Sequence, residues 1–203
     1  MVEYGTALQL QKKLHQQRVK GEIGDTLLLL EHPPVITVGK GGSIDNILVP
    51  RETLHQKGIA LYFTDRGGDV TYHGPGQLVG YPILDLSSRG GDLKHYVRDL
   101  EEVLIRTLED FSIHAGRDPH HVGVWIGDRK IAAIGLSIKD WVTMHGFALN
   151  VSTDLEGFSV IHACGFKDRT TTSMQELLVY QPPMDQVIDR LLGHFSEIFD
   201  PER

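Results

Sequence analysis

Apolar residues recur at helical spacing in three parts of the chain. Near the N-terminus they predict an amphipathic helix over residues 4–20 that ends at Gly21. A longer stripe follows Asp92, which is a good N-cap, and a last helix begins after Pro182-Pro183. The apolar positions of these helices are, in order, Ala7, Leu10 and Leu14; Leu93, Val97, Leu100, Leu104, Leu108 and Phe111; and Met184, Val187, Leu191, Phe195 and Ile198.

Short apolar runs bounded by Gly, Pro and polar residues predict strands between these helices. The predicted strands cover residues 26–30, 35–38, 59–63, 69–73, 78–84, 122–126, 130–138 and 141–151, with a short helix at 50–57. Gly127-Asp-Arg129 is a hairpin signal, so antiparallel neighbours are expected there. Because strands and helices do not alternate regularly, the pattern predicts an α+β fold: a single domain over residues 1–203, with a mixed, mostly antiparallel sheet flanked by helices.

Composition narrows the classes of protein. With 203 residues, 40% of them hydrophobic and 23% charged, the chain is typical of a soluble globular protein. No apolar run approaches the roughly 20 residues that a membrane span needs, and charges at Glu3, Lys12 and Arg18 are unlike a signal peptide. We therefore expect a cytoplasmic protein with no membrane partner. A net charge of -7 argues against a nucleic-acid partner.

Two glycine-rich stretches could bind a ligand. The stretch from Arg66 to Pro82 places glycines on both sides of a short strand, which suits either a binding edge or two tight turns. Gly39-Lys-Gly-Gly42 lacks the spacing of a phosphate-binding P-loop, so a flexible loop is the favoured interpretation, with Lys40 as a possible contact for an acidic partner.

Cys164 is the only cysteine, so it is either an inert thiol or a reactive one. A free thiol is only ~3% thiolate at pH 7, and a nearby cation would raise that fraction. His162, His73 and His145 are candidate bases on different segments. Lys130 is another candidate, although a lysine at the start of an apolar strand is commonly a solvated strand end.

Several motifs together resemble the lipoyl (octanoyl) transferase family, LipB. They occur in order over nearly the whole chain: Glu31-His-Pro-Pro, Arg66-Gly-Gly-Asp-Val-Thr-Tyr-His-Gly-Pro-Gly-Gln77, Arg129-Lys-Ile-Ala-Ala-Ile-Gly135, His145-Gly-Phe-Ala-Leu-Asn150 and Ala163-Cys-Gly-Phe166. The long glycine-rich block is the most specific of them. Ala163 departs from the family pattern, which usually has proline before the cysteine.

The resemblance implies a fold like that of the biotin/lipoate protein ligase catalytic domains and an acyltransferase activity. Cys164 would take octanoyl, or lipoyl, from acyl carrier protein as a thioester and pass it to a lysine of an apo lipoyl domain. Lys130 would favour the thiolate as a cation. Neutral Lys130 would later deprotonate the acceptor amine, of which only ~0.04% is neutral at pH 7.

The resemblance also implies the partners and the acyl site. The acceptors would be lipoyl domains of 2-oxoacid dehydrogenase E2 subunits and the glycine cleavage H protein. No metal or resident cofactor is implied, since 4'-phosphopantetheine arrives on the carrier protein. A narrow slot could select chain length, because each buried methylene contributes roughly 0.8 kcal/mol. The residues implied to line it are Arg66, Gly67, Gly68, Asp69, Val70, Thr71, Tyr72, His73, Ala133, Ile134, Gly135, Gly146, Phe147 and Ala148.

Other functions remain open from the sequence. An ATP-dependent lipoate or biotin-type ligase would need an adenylate site and no cysteine, whereas a cysteine thioesterase would release the same acyl-enzyme to water. A non-catalytic module that binds lipoyl domains would leave the thiol and the slot unexplained. Because carrier proteins and lipoyl domains are generally acidic, we expect a basic patch at the site. Its candidate members are Lys40, Arg129, Lys139, Lys167 and Arg169.

Overall fold

The computed structural model describes residues 1–162 and 170–200. The helices are α1 (Tyr4–Val19), α2 (Arg51–Gln56), α3 (Leu93–Glu109), α4 (Met174–Leu178) and α5 (Met184–Phe199). The strands are β1 (Thr26–Leu30), β2 (Val35–Val38), β3 (Ala60–Phe63), β4 (Val70–His73), β5 (Gln77–Ile83), β6 (Gly116–Arg117), β7 (Val124–Ile126), β8 (Arg129–Lys139), β9 (Val142–Asn150) and β10 (Thr170–Thr171). None of the described helices has the length and apolar character to cross a membrane.

The strands form two sheets. The larger sheet has the order β1-β5-β9-β8-β7-β6, with β10 also paired to β8, and the smaller has the order β3-β2-β4. Neighbouring strands are antiparallel, except that β2 and β3 are parallel and β10 runs parallel to β8. The predicted α+β class with a mixed, mostly antiparallel arrangement is confirmed. The division into two sheets, the short strands β6 and β10 and the helix α4 were not predicted.

The main hydrophobic core lies between the larger sheet and helices α3 and α5. The Asp92 carboxylate caps α3 by accepting hydrogen bonds from two backbone amides, as its position predicted. Leu100, Leu104 and Leu108 of α3 and Leu191 of α5 are fully buried in this core. The smaller sheet covers a separate cluster with α2. Helix α1 packs on β5 and β9, on the face of the larger sheet opposite α3 and α5. The small sheet lies on the same side as α1.

The buried face of α1 differs from the predicted one. Leu10 is 42% exposed, whereas Gln11 and His15 are buried. Gln11 Oε1 accepts a hydrogen bond from the backbone amide of His145, and the His15 ring bonds to the carbonyl of Lys139. These polar side chains are buried because they satisfy backbone groups of β8 and β9. The apolar spacing alone could not show this.

Replacing Gly80 with alanine is expected to destabilise the fold by about 1–3 kcal/mol, the usual range for overpacking. Gly80 pairs with Phe147 across β5 and β9, and a Cβ at Gly80 would overlap the buried Phe147 ring. Urea unfolding measures the change. Gly193→Ala in α5 is the matched control: apart from the adjoining backbone of its own helix, nothing lies within 4 Å of the added methyl group. Helix propensity should therefore stabilise that variant by about 0.5–1 kcal/mol. A neutral or stabilising Gly80→Ala would contradict this packing.

Candidate active site

A cavity of about 460 Å³ lies between the two sheets. Strand β4 of the small sheet forms one wall, strands β5, β8 and β9 of the larger sheet form the opposite wall, and Tyr4 at the start of α1 also lines it. On the larger sheet, Ala133 pairs directly with Ala148 and Gly135 pairs with Gly146. Two successive pairs of small residues thus leave a narrow groove that suits an unbranched apolar chain.

Most of the predicted slot residues line this cavity. Those that do are Arg66, Gly68, Asp69, Val70, Thr71, His73, Ala133, Ile134, Gly135, Gly146, Phe147 and Ala148. The structure does not place Gly67 or Tyr72 there. The Gly67 amide instead donates to the Leu136 carbonyl of β8. Tyr72 points to the other face of β4, where its ring packs edge-on against Phe158, because successive side chains of a strand alternate. The family resemblance implied that Tyr72 lines the slot, whereas the structure places its ring on the opposite face of β4.

Arg66 acts mainly as a clamp within the glycine-rich stretch. Its guanidinium donates hydrogen bonds to the Thr37 hydroxyl and to the carbonyls of Thr37, Gly67 and Asp69. The side chain is buried, so these bonds offset the cost of removing its charge from water. They fix the shape of the cavity rim.

The loop from Gly39 to Gly42 packs on the same stretch through its backbone. Its first three amides donate to the carbonyls of Asp69, Arg66 and Gly68, and the Gly42 amide donates back to Gly39. A Cβ at Gly39 would overlap the Gly68 carbonyl. Because the amides are already bonded, this loop is not a cradle for phosphate, in agreement with the sequence interpretation.

Lys130 faces the cavity because of a β-bulge. Val124 of β7 pairs with Ala132, but the next residue, Trp125, pairs with Lys130, so β8 has one extra residue at Ile131. Ile131 and Ala132 are both buried in the main core. The bulge shifts the alternation of β8 so that Lys130 and Ala133, three positions apart, line the same cavity.

The Lys130 side chain lies against the loop that precedes β7. Its ammonium donates to the Val122 carbonyl at 3.3 Å and lies 4.7 Å from the centre of the Trp125 ring. His120, His121 and Val122 line the cavity beside it. These contacts position the amine at one end of the groove.

Cys164 lies outside the described residues, but both flanks of its segment are described. On the upstream side, the His162 amide donates to the Asn46 carbonyl. On the downstream side, Thr171 of β10 pairs with Lys130, and the Thr172 amide donates to the Lys130 carbonyl. Strand β10, which begins six positions after Cys164 in the sequence, therefore lies beside the backbone of Lys130. His162, the nearest candidate base in sequence, does not line the cavity.

A second polar group lies at the other end of the cavity from Lys130. His145 pairs with Leu136 on β8, which is six positions, or at most about 20 Å, from Lys130 along that strand. It has a left-handed φ of 59° and is buried, and its Nε2 lies 2.7 Å from the Asp65 carboxylate. Burial lowers the pKa of His145, although Asp65 acts in the opposite direction.

Tyr4, His32, Tyr81 and His73 form an aromatic cluster. All of them except His32 line the cavity. The Val2 carbonyl accepts from His32 Nδ1, so His32 Nε2 accepts from the Tyr81 hydroxyl at 2.6 Å. Burial raises the pKa of Tyr4 to about 12. Burial, followed by the nearby His32, lowers the pKa of His73 to about 3. These side chains are therefore uncharged at neutral pH.

The lowered pKa of His73 predicts a loss of stability in mild acid. The unfolded chain binds a proton at His73 below about pH 6.5, whereas the folded protein binds it only near pH 3. The free energy of unfolding therefore decreases as the pH falls from 6.5 towards 3. Between pH 7 and pH 5 the loss from His73 alone should be about 2 kcal/mol, measured by urea unfolding.

His73→Asn separates this contribution from those of other groups. Burial also lowers the pKa of His32 and His145, so both destabilise the fold in acid and remain in the variant. The loss of stability between pH 7 and pH 5 should therefore be about 2 kcal/mol smaller in His73→Asn. Equal losses in the two proteins would exclude His73 as the source.

The predicted basic patch is not assembled from its described members. Arg129 and Lys139 stand at opposite ends of β8, ten residues or about 30 Å apart, and Arg129 pairs with Glu176 at 3.1 Å. Lys40 lies beside the cavity-lining Gly41, while Lys167 and Arg169 are outside the described residues.

Several lining residues were missed by the sequence interpretation. They are Tyr4, Gly41, Val79, Tyr81, His120, His121 and Val122, together with His145, which was considered only as a base. The adjacent histidines His120 and His121, just before an apolar strand, could have indicated that this loop lines a site. Tyr4 gave no signal, because only tertiary packing brings α1 to the cavity.

The fold and cavity define a catalytic domain of the lipoyl protein ligase class. A bi-partite lipoate protein ligase from Thermoplasma acidophilum, solved in a study that also included its E2 lipoyl domain, has the same fold, with a TM-score of 0.71 over 94% of this chain and 79% of that chain at 18% identity. Residues 3–196 match the family model "Lipoyl protein ligase A/B catalytic domain", and the chain belongs to this family.

Two relatives are much more similar in sequence. Octanoyltransferase of Caldicellulosiruptor saccharolyticus is 53% identical over 201 residues, covering 98% of this chain and 86% of the relative. Octanoyltransferase of Solibacter usitatus is also 53% identical over 201 residues, covering 99% and 90%. The family resemblance inferred from the motifs is confirmed.

Proposed function

We propose that this chain is an octanoyltransferase that moves octanoyl, or lipoyl, from acyl carrier protein to a lysine of apo lipoyl domains. The acyltransferase class follows from relatives at 53% identity over nearly the full length of both chains. The observation that carries the proposal is the groove of small residues with Lys130 at one end. It provides an apolar slot and an amine at the place where acyl transfer would occur.

In the first half-reaction, the Cys164 thiolate attacks the carbonyl carbon of the donor thioester. A carbon–sulfur bond to Cys164 forms and the bond to pantetheine sulfur breaks, so one thioester replaces another. The leaving pantetheine thiolate takes a proton from the Lys130 ammonium. Lys130 is then a neutral amine and Cys164 carries the octanoyl group.

In the second half-reaction, the acceptor lysine gives one proton to water and attacks the acyl-enzyme as a neutral amine. The acceptor nitrogen forms the new bond to the carbonyl carbon, neutral Lys130 takes a proton from that nitrogen, and Cys164 leaves as a thiolate. An amide has replaced a thioester, which drives the reaction forward. Lys130 and Cys164 return to their starting charge states.

The groove supports an extended acyl chain. From Lys130, the pairs Ala133–Ala148 and Gly135–Gly146 follow in order along β8. We place the carbonyl beside Lys130 and the methyl end towards Gly135. Each methylene that leaves water contributes roughly 0.8 kcal/mol, so the length of the groove favours a chain of matching length.

The acceptors are proposed to be lipoyl domains of 2-oxoacid dehydrogenase E2 subunits and the glycine cleavage H protein. Membership of a lipoyl protein ligase family supports lipoyl domains as the general class. The donor 4'-phosphopantetheine is part of the carrier protein, so the proposal requires no resident cofactor. A cytoplasmic location remains a prediction from the sequence.

The decisive experiment mixes the purified chain with octanoyl acyl carrier protein in the absence of ATP. Intact mass spectrometry should detect one octanoyl group on the chain, and a subsequently added apo lipoyl domain should remove it and become octanoylated. A product that requires ATP and free octanoate would instead establish the ligase, and release of free octanoate to water would establish the thioesterase. Relatives named octanoyltransferase favour neither alternative.

A further inference from the structure

Backbone carbonyls determine which nitrogen of His73 carries the proton. The Thr172 carbonyl accepts from Asn150 Nδ2 at 3.0 Å, so Asn150 Oδ1 faces Gln77. Gln77 Nε2 donates to Asn150 Oδ1 at 2.9 Å and to the Tyr72 carbonyl at 3.3 Å. Gln77 Oε1 is therefore turned towards His73 Nδ1, at 2.7 Å. Because Oε1 only accepts, the proton of His73 is on Nδ1.

His73 Nε2 is consequently a bare acceptor at the cavity. The ring lines the cavity, and no described residue donates a hydrogen bond to Nε2. Burial keeps the ring neutral at physiological pH, with its pKa lowered to about 3. A group with so low a pKa is a poor general base at pH 7, and with the proton on Nδ1 it cannot donate from Nε2. It can only accept a hydrogen bond from a ligand.

The acyl-enzyme itself supplies no hydrogen-bond donor for this atom. An acyl-enzyme thioester has no N–H or O–H group, and its carbonyl oxygen, like the oxyanion formed from it, would be repelled by the Nε2 lone pair. The attacking amine does have N–H groups, and they become more acidic as the carbon–nitrogen bond forms. Nε2 therefore suits the acceptor lysine.

We propose that His73 Nε2 accepts a hydrogen bond from the attacking amine of the acceptor lysine and aims its lone pair at the thioester carbon. This inference rests on the proposed function. The nitrogen bonds to the carbonyl carbon, the bond to Cys164 sulfur breaks, and the departing proton goes to Lys130, so His73 itself remains neutral throughout. Its role is to orient the amine in the second half-reaction.

The position of the network agrees with this role. Asn150 bonds to the Thr172 carbonyl, and the Thr172 amide donates to the Lys130 carbonyl at 3.0 Å. Gln77 and Asn150 also line a small cavity together with Lys130. The side chains that orient His73 are thus attached to the strand that carries the proposed proton acceptor.

Two substitutions distinguish the two ring nitrogens. In His73→Asn, the amide can still donate to Gln77 in place of Nδ1 but offers nothing at the Nε2 position. In His73→Gln, the longer amide can place an oxygen acceptor near the Nε2 position. For each protein, rapid mixing gives two rates: formation of the octanoyl-enzyme from octanoyl acyl carrier protein, and its consumption by apo lipoyl domain in a single turnover. Urea unfolding at pH 7 confirms that each variant is folded.

In His73→Asn, consumption should fall about 100-fold more than formation, the effect expected of a misplaced reactant. His73→Gln should recover at least about tenfold of that loss. The inference would be overturned if His73→Asn left the ratio of the formation and consumption rates unchanged, or if His73→Gln gave no recovery. Either result would leave the proposed function in place. If the unsubstituted chain forms no octanoyl-enzyme, the proposed function is wrong and this inference falls with it.

Discussion

Replacing Cys164 with serine should reduce transfer of octanoyl to a lipoyl domain by at least about 10³-fold. A serine hydroxyl is almost entirely protonated at neutral pH, and the Lys130 cation, which is proposed to stabilise a thiolate, cannot make it a comparable nucleophile. Single-turnover transfer with octanoyl acyl carrier protein measures the loss. Intact mass spectrometry, in the same samples, should show no rapidly formed octanoyl-enzyme.

Cys164→Ala is the companion variant because it removes the nucleophile entirely. The chain has one cysteine, so a thiol-directed label on the parent protein reports only on this residue. Both variants should unfold in urea at nearly the same concentration as the parent. An octanoyl group found on Cys164→Ala, or transfer at the parent rate, would show that another residue is the nucleophile.

Replacing Lys130 with methionine should reduce transfer by about 10²–10⁴-fold, the range for loss of a general acid–base group. Methionine retains the length of the side chain but has neither a charge nor an exchangeable proton. If the Lys130 cation stabilises the thiolate, the midpoint of Cys164 alkylation against pH should rise by about 1–2 units in this variant. The alkylation rate is measured by loss of free thiol over a pH series.

Lys130→Arg separates the two proposed roles of the amine. Arginine keeps a positive charge but does not release a proton near neutral pH, so the alkylation midpoint should stay close to that of the parent while transfer to the lipoyl domain is lost. Arg129→Met is the matched control, because the Arg129 side chain pairs with Glu176 and does not line the cavity. An unchanged alkylation profile in Lys130→Met would remove Lys130 from thiol activation.

The reaction type is decided by side chains on a shared fold. A lipoate protein ligase adopts the same architecture at only 18% identity, so architecture alone does not distinguish ligase from transferase. The proposed transferase chemistry depends on a thiol and an amine acting together. The experiments on Cys164 and Lys130 therefore test the function more directly than any further comparison of folds.

Local patterns predicted most helices and strands within a few residues. The start of α3 after Asp92 and the hairpin after β7 follow from capping and turn chemistry, which act between neighbours in sequence. The short strands β6 and β10 have only two residues each, too few for any periodicity to appear. The polar buried face of α1 could not be predicted, because the hydrogen-bond partners of Gln11 and His15 are more than 120 positions away in the sequence.

The α+β class, the family and the set of residues proposed to react could all be predicted from the order of amino acids in the chain. Its motifs marked Cys164, Lys130 and most of the slot, since residue types and their order are written directly in the chain. The direction in which these side chains point depends instead on tertiary contacts. An extra residue at Ile131 turns Lys130 into the cavity, and strand alternation turns Tyr72 away from it. The carbonyls of Tyr72 and Thr172 fix the proton of His73 through Gln77 and Asn150. Bulges and hydrogen-bond networks depend on partners distant in sequence, so spacing along one segment does not reveal them.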